Sequence, residues 1–208
     1  MSTQAEIRAI TDILRKIEAP VIVELGAYCG EDSEFMREAC KNWHAVNVMV
    51  EPDHGNCEII RKYRRGVKTV LIEAAIADYT GMVDFYAGID STCERSGSGS
   101  IRKPTEHLKL FPQIEFASPR PVMCWSLDHL FTSMTFCEID MLWVDIQGAE
   151  RDMIVGGGLT LGRVRYLFIE AEHHELYEGQ ALRDELLTLL PQFNVIGEFD
   201  YNLLLEAK

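Results

Sequence analysis

No stretch of the 208 residues reaches the roughly 18 consecutive apolar positions of a membrane-spanning helix, so no membrane partner is expected. The opening residues, MSTQAEIRAI, lack the basic segment and apolar core of a secretory signal. None of the six cysteines (Cys29, Cys40, Cys57, Cys93, Cys124 and Cys137) forms a C-x-x-C pair, and their spacings match no zinc framework. Reduced thiols in a cytoplasmic protein are the expectation. Positive charge is scarce: 20 Lys and Arg face 33 Asp and Glu, for a formal net charge of −13. Such a surface repels a free polyanion, which excludes nucleic acid as the expected partner. The phosphate-cradling patterns G-x-G-x-x-G and G-x-x-x-x-G-K-[ST] are both absent.

What is present suits one α/β domain over residues 1–208, with 47% hydrophobic residues to build its core. Ile7, Ile10, Ile13, Leu14 and Ile17 recur at helical spacing over 4–18, so residues 1–19 read as a capping helix ended by Pro20. Apolar runs at 21–27, 45–51 and 68–76 read as strands, with helices over 31–41 and 53–64 between them. That alternation predicts a parallel sheet. A further strand is expected at 81–87, then a long Gly-, Ser- and Pro-rich insertion over 88–121, serving either as a surface loop or as a lid over substrate. Beyond it, 122–126, 139–146 and 164–172 read as strands. A short helix opens at Ser126, and others span 149–156 and 179–190. The runs 194–199 and 201–207 close the chain as a hairpin.

Ligands of open α/β sheets bind beyond the carboxyl ends of the strands. The residues falling there are Glu24-Leu25-Gly26, Glu51, Ala75 to Asp78, Asp145, and Glu170 to His174, a markedly acidic set. Gly26 and Gly30 bracket the first strand-to-helix turn and permit close approach of backbone to ligand. Tyr28 stands where a dinucleotide site would need its second glycine, so the turn suits a ligand without a pyrophosphate. An acid placed as Glu51 is can accept both hydroxyls of a ribose. A phosphate-free nucleoside carrying positive charge fits these features, and S-adenosylmethionine is such a ligand.

Six stretches in order carry a family resemblance: ELGAYCG at 24–30, EPD at 51–53, AIADYTGMVDF at 75–85, SLDHL at 126–130, DIQGAE at 145–150 and IEAEHH at 169–174. Over about residues 20–175 the chain resembles the FkbM family of class I methyltransferases. It departs from the family pattern where Glu24 replaces Asp, Tyr28 replaces Asn, and Gln147 replaces an acid. The resemblance implies a Rossmann-like, mostly parallel seven-stranded sheet with an antiparallel last strand and helices on both faces. It also implies S-adenosylmethionine-dependent O-methylation, often of a sugar hydroxyl on a small molecule. The implied donor site is Glu24, Gly26, Ala27, Gly30, Glu51 and Pro52, with Tyr28 in the same turn. Ile76, Ala77 and Asp78 would flank the adenine, and Asp145 would lie beneath the methionine part or the acceptor.

Transfer to a hydroxyl requires a proton acceptor within hydrogen-bond reach. Asp145, Glu150, Glu172 and His173 are the candidates. Asp145, Glu172, His173 and His174 are also metal-ligand types. Adjacent histidines on a strand point apart, however, and no metal site is assigned. Arg95, Arg102, Lys103 and Arg120 in the insertion are either solvated or available to an anionic acceptor. Two rival functions stay open from sequence, a nicotinamide-nucleotide oxidoreductase and a non-catalytic nucleoside-binding protein, as does a homo-oligomer.

Overall fold

The apolar runs at the heart of the sequence become strands covered on both faces, as a parallel sheet between helix layers requires. In the computed structural model, residues 2–40, 45–63, 69–92, 96–134 and 138–208 are described. Residues 41, 64 and 68, the outer ends of three expected elements, lie outside these, as do Cys93, Arg95 and Cys137. The elements are α1 (Gln4–Leu14), β1 (Val21–Leu25), α2 (Glu31–Ala39), β2 (Val46–Val50), α3 (His54–Tyr63), β3 (Thr69–Ile72), β4 (Ala75–Ala77), β5 (Gly81–Phe85), β6 (Gly88–Asp90) and α4 (His107–Leu110). They continue with β7 (Ile114–Phe116), β8 (Arg120–Ser126), α5 (Leu127–Thr132), β9 (Ile139–Val144), α6 (Glu150–Val155), α7 (Gly158–Leu161), β10 (Val164–Glu170), α8 (Arg183–Leu189), β11 (Phe193–Glu198) and β12 (Asn202–Ala207).

Seven strands form the main sheet in the order β11-β12-β10-β9-β1-β2-β3. Neighbours from β10 to β3 run parallel. The last strand, β12, is antiparallel to both β10 and β11. Strand order reverses at the β9–β1 pair, which makes the crevice above their carboxyl ends the place for a ligand. Alternate residues of each strand feed opposite cores. Val23, Leu25, Leu142 and Val144 pack with Leu127, Met153, Leu161 and Leu186 from α5–α8. Ile22, Met141 and Trp143 pack with Ile10 and Leu14 of α1 and Met36 of α2. On β2, Met49 meets Ile60 of α3. Helices therefore cover both faces. No helix among the described residues is long and apolar enough to cross a membrane.

Three expected elements differ in extent. The first helix ends at Leu14, because Lys16 and Ile17 tighten into bonds with the carbonyls of Ile13 and Leu14, three residues back. The single strand read over 68–76 is two. The Ala74 N–H lies 3.1 Å from the carbonyls of both Ile72 and Glu51, which folds the chain across the end of β2. The following β4 then joins a second sheet, β4-β8-β5. The helix expected from 179 begins at Arg183, because Gln180 Oε1 captures the N–H groups of Leu176 (2.9 Å) and Tyr177 (3.3 Å) in a turn instead.

The insertion is tied to the body at several points. Strands β6 and β7 pair with each other. Tyr86 and Ser100 exchange backbone bonds, and Thr105 N–H donates to the Leu176 carbonyl. Arg102 binds both carboxylate oxygens of Asp152, at 2.7 and 2.8 Å.

Candidate functional site

The first turn after β1 is built by close packing. Gly26 and Ala27 donate their N–H groups to the Val50 carbonyl at 2.9 and 3.1 Å, which pins the turn to the end of β2. Gly26 has φ +82°, and a Cβ there would sit 1.7 Å from the Asp145 carbonyl oxygen, so no other residue fits. Gly30, at φ +79°, starts α2. Between them Tyr28 adopts φ +47°, rare for a residue with a side chain.

Glu51 is buried and receives three donors. Its Oε1 accepts from the backbone N–H of Asp53 (2.8 Å) and from Asn56 Nδ2 (3.2 Å), and its Oε2 accepts from the N–H of Tyr28 (2.8 Å). Burial raises its pKa to about 7, although the bonds from Asp53, Asn56 and Tyr28 favour the ionised form. A carboxylate offers about four acceptor positions. Three are taken, and one on Oε2 is left open.

Beside this turn lies a cleft enclosing about 890 Å³, open mouth included. Its walls include Val50, Ile76, Phe85, Ile101 and Ile146, and its polar lining includes Glu51, Asp53, Asn56 and Asp145. Among the described lining residues there is no lysine or arginine. Apolar walls, a buried acid, and carboxylates as the only charged groups among the described lining residues are the chemistry that a cationic nucleoside would need. The residues thus fit S-adenosylmethionine and offer nothing to a pyrophosphate.

Of the expected donor residues, Gly26, Tyr28, Glu51, Pro52, Ile76 and Asp145 line the cleft. The other five lie elsewhere. Glu24 is buried below the turn, where it accepts the Ser33 hydroxyl, which in turn accepts from Asn47 Nδ2 at 3.0 Å. Burial pushes Glu24 well above the usual carboxylate range. Ala27 packs with Met49 and Ile60. Gly30 shapes the backbone without lining the cleft. Ala77 and Asp78 lie against Gly156, where an added Cβ would come within 2.6 Å of the Ala77 carbonyl.

Among the proposed proton acceptors, half-buried Asp145 lines the cleft. Glu150 instead turns inward, its Oε1 accepting the N–H groups of Gly148 (3.2 Å) and Ile146 (3.3 Å). Glu172 is buried off the cleft, and His173 is exposed with Nε2 3.2 Å from the Asp200 carbonyl. Among the described residues no three His, Cys, Asp or Glu side chains form a metal-binding group. Two of the insertion's cations are already engaged, Arg102 with Asp152 and Arg120 with Asp53.

The insertion, expected as a surface loop or a lid, supplies lining residues that sequence reasoning did not name: Ser96, Gly97, Gly99, Ser100 and Ile101, alongside Asn56 and Ala74. The glycines were the available signal: a Cβ on Gly99 would lie 2.6 Å from the Phe85 ring, so this glycine serves packing.

Comparisons with known proteins bear on the family and the fold. Residues 24–201 match the methyltransferase FkbM domain. The 2-O-methyltransferase NoeI of Sinorhizobium fredii (strain NBRC 101917 / NGR234) is 34% identical over 195 residues, which cover 92% of this chain and 79% of NoeI. The crystal structure of a methyltransferase FkbM from Methylobacillus flagellatus KT superposes with a TM-score of 0.56 at 14% identity, over 90% of this chain and 44% of that one, so the chain spans less than half of that protein's length. The S-adenosylhomocysteine-bound Podospora anserina methyltransferase PaMTH1 superposes with a TM-score of 0.53 at 15% identity, over 100% of this chain and 80% of its own. The two crystal structures share the fold. With the domain match running nearly the length of the sheet and NoeI a third identical across it, the chain belongs to the FkbM methyltransferase family.

Proposed function

We propose that the chain transfers a methyl group from S-adenosylmethionine to a hydroxyl oxygen of a small, sugar-containing acceptor, with Asp145 taking the hydroxyl proton. The observation that supports this reading is that Asp145 lines a cleft that is also lined by Glu51 and has no lysine or arginine among its described lining residues. The name of NoeI, a 2-O-methyltransferase, supports oxygen as the acceptor atom.

When bound, S-adenosylmethionine supplies a methyl carbon activated by its sulfonium, and the sulfur leaves as a neutral thioether. The chain's residues align and deprotonate. Glu51 Oε2 accepts a ribose hydroxyl, and Val50, Ile76 and Ile146 exclude water around the base. Asp145 accepts the proton as the acceptor oxygen forms its bond to carbon.

Thermal shift with S-adenosylhomocysteine and with NAD tests the donor. Stabilisation by S-adenosylhomocysteine is expected, and stabilisation by NAD alone overturns the reading. A labelled donor offered with a panel of mono- and oligosaccharides tests the acceptor. Asp145→Asn should lower kcat about a hundredfold or more on any saccharide that is methylated. Full activity in that variant would remove Asp145 from the mechanism.

A further inference from the structure

Gln147 has no part in the scheme above, yet its surroundings are closely specified. It adopts φ +53°, a left-handed conformation that among the described non-glycine residues only Tyr28 shares. Such strain persists only where neighbours over-determine it. Gly148 follows at φ +94°, and a Cβ on it would lie 3.0 Å from Tyr177 Cβ, so the turn is moulded onto that tyrosine. The Gln147 carboxamide bridges both sides of this turn. Its Nε2 donates to Asp145 Oδ1 at 2.7 Å and to Glu170 at 3.1 and 3.2 Å. Its Oε1 accepts from the Tyr177 hydroxyl at 2.8 Å. That hydroxyl also donates toward the Ser98 carbonyl at 2.9 Å, in the insertion segment beside the cleft, so its one proton is shared between two acceptors.

A carboxamide has a donor end and an acceptor end, so its orientation decides what Asp145 feels. With the NH2 group toward Asp145, the ionised carboxylate is stabilised. With the carbonyl toward Asp145, a proton on the carboxyl is favoured instead. The Tyr177 proton, shared between Gln147 Oε1 at 2.8 Å and the Ser98 carbonyl at 2.9 Å, favours the first orientation to the extent that Gln147 receives it. Among the described residues, the charged side chains that act on Asp145 are acidic: Glu24 on β1, Asp32 on α2, Glu150 on α6, Glu170 at the end of β10 and Glu172 just beyond it. Among the described residues, Gln147 supplies the hydrogen bond that the Asp145 carboxylate receives.

We propose that Gln147 is the positioning residue for Asp145, its NH2 group held toward Asp145 and Glu170 by the Tyr177 hydroxyl. The catalytic consequence rests on the reading of Asp145 as proton acceptor. Within that acidic cluster, loss of the oriented NH2 leaves Asp145 protonated to higher pH and unable to take the acceptor's proton. Burial already pushes Asp145 upward, and the Gln147 bond opposes it.

The test is a 13C NMR titration of the aspartate carboxyls in the full chain, with the Asp145 resonance assigned by Asp145→Asn. Tyr177→Phe, which removes a single oxygen, and Gln147→Met should each move the Asp145 midpoint upward by about one pH unit. The acid limb of kcat on a methylated saccharide should move with it, while S-adenosylhomocysteine affinity holds. An unmoved midpoint in Tyr177→Phe overturns the inference, whether or not Gln147→Met folds. A uniform loss of kcat with an unchanged pH profile does the same. An active Asp145→Asn accompanied by shifted midpoints would instead overturn the mechanism and leave the positioning of Asp145 standing.

Discussion

The backbone N–H of Tyr28 donates to Glu51 Oε2 across 2.8 Å, so the turn after β1 and the end of β2 share one carboxylate. The left-handed backbone of Tyr28 aims that N–H. Glu51 therefore organises this side of the cleft through three protein donors, and under the proposed function its remaining acceptor position is the one a ribose hydroxyl would use.

Replacing that acid should be costly for binding. Glu51→Ala removes the ribose acceptor and strands three donors. S-adenosylhomocysteine affinity should fall at least about tenfold, or about 1.4 kcal/mol, by calorimetric titration. An unchanged Kd would mean that the ribose is held elsewhere.

Burial raises both Glu51 and Glu150 from an ordinary value of 4.5 to about 7. The folded state then binds more protons than the unfolded chain between those values. Their contribution to stability is fully present below about pH 4.5 and is lost as pH rises through about 7. Glu150→Gln keeps an acceptor for Gly148 and Ile146 but does not titrate. Thermal melts from about pH 5.5 to 8 should show a smaller loss with rising pH in Glu150→Gln than in the wild type. Equal slopes would remove Glu150 from the account.

Two glycines should respond in opposite ways. Gly26→Ala places a Cβ 1.7 Å from the Asp145 carbonyl at a left-handed φ, and should cost at least about 3 kcal/mol in denaturant unfolding or prevent folding. Gly158→Ala meets nothing within 4 Å at the start of α7, and should gain about 0.5 kcal/mol. Similar effects at both sites would contradict the close approach at Gly26.

Arg102 ties the insertion to α6 through Asp152 and to the 176–180 turn through the Glu178 carbonyl at 3.0 Å. Arg102→Ala should cost about 1–2 kcal/mol and hasten proteolytic nicking within 88–121. An unchanged cleavage rate would mean that the β6–β7 pairing and the Tyr86–Ser100 bonds suffice.

Much of this was legible from the sequence because strand periodicity and strand-end acids are local signals. β1, β2, β9, β10 and the terminal pair follow their apolar runs, and Gly26, Tyr28, Glu51, Pro52, Ile76 and Asp145 meet at one edge. The division of 68–76 into β3 and β4 was not legible, since no glycine or proline marks it and the break depends on a tertiary bond from Ala74 to Glu51. The depth of Glu24 was not legible because sequence gives a strand-end acid no depth, and Ser33 with Asn47 engages it beneath the turn. That 96–101 lines the cleft was not legible, because a Gly- and Ser-rich stretch suits a surface loop as well as a lid until Phe85 is seen packed against Gly99.

The contact between Gly26 and the Asp145 carbonyl has an evolutionary consequence. It welds the donor-binding turn and the strand that ends at Asp145 into one reference frame, whose spacing no ligand sets. The insertion stands outside that frame, joined to it by side-chain bonds such as that from Ser100 Oγ to the Gln147 carbonyl, at 2.6 Å. Residues 88–121 can therefore change without altering the distance between that turn and the strand ending at Asp145.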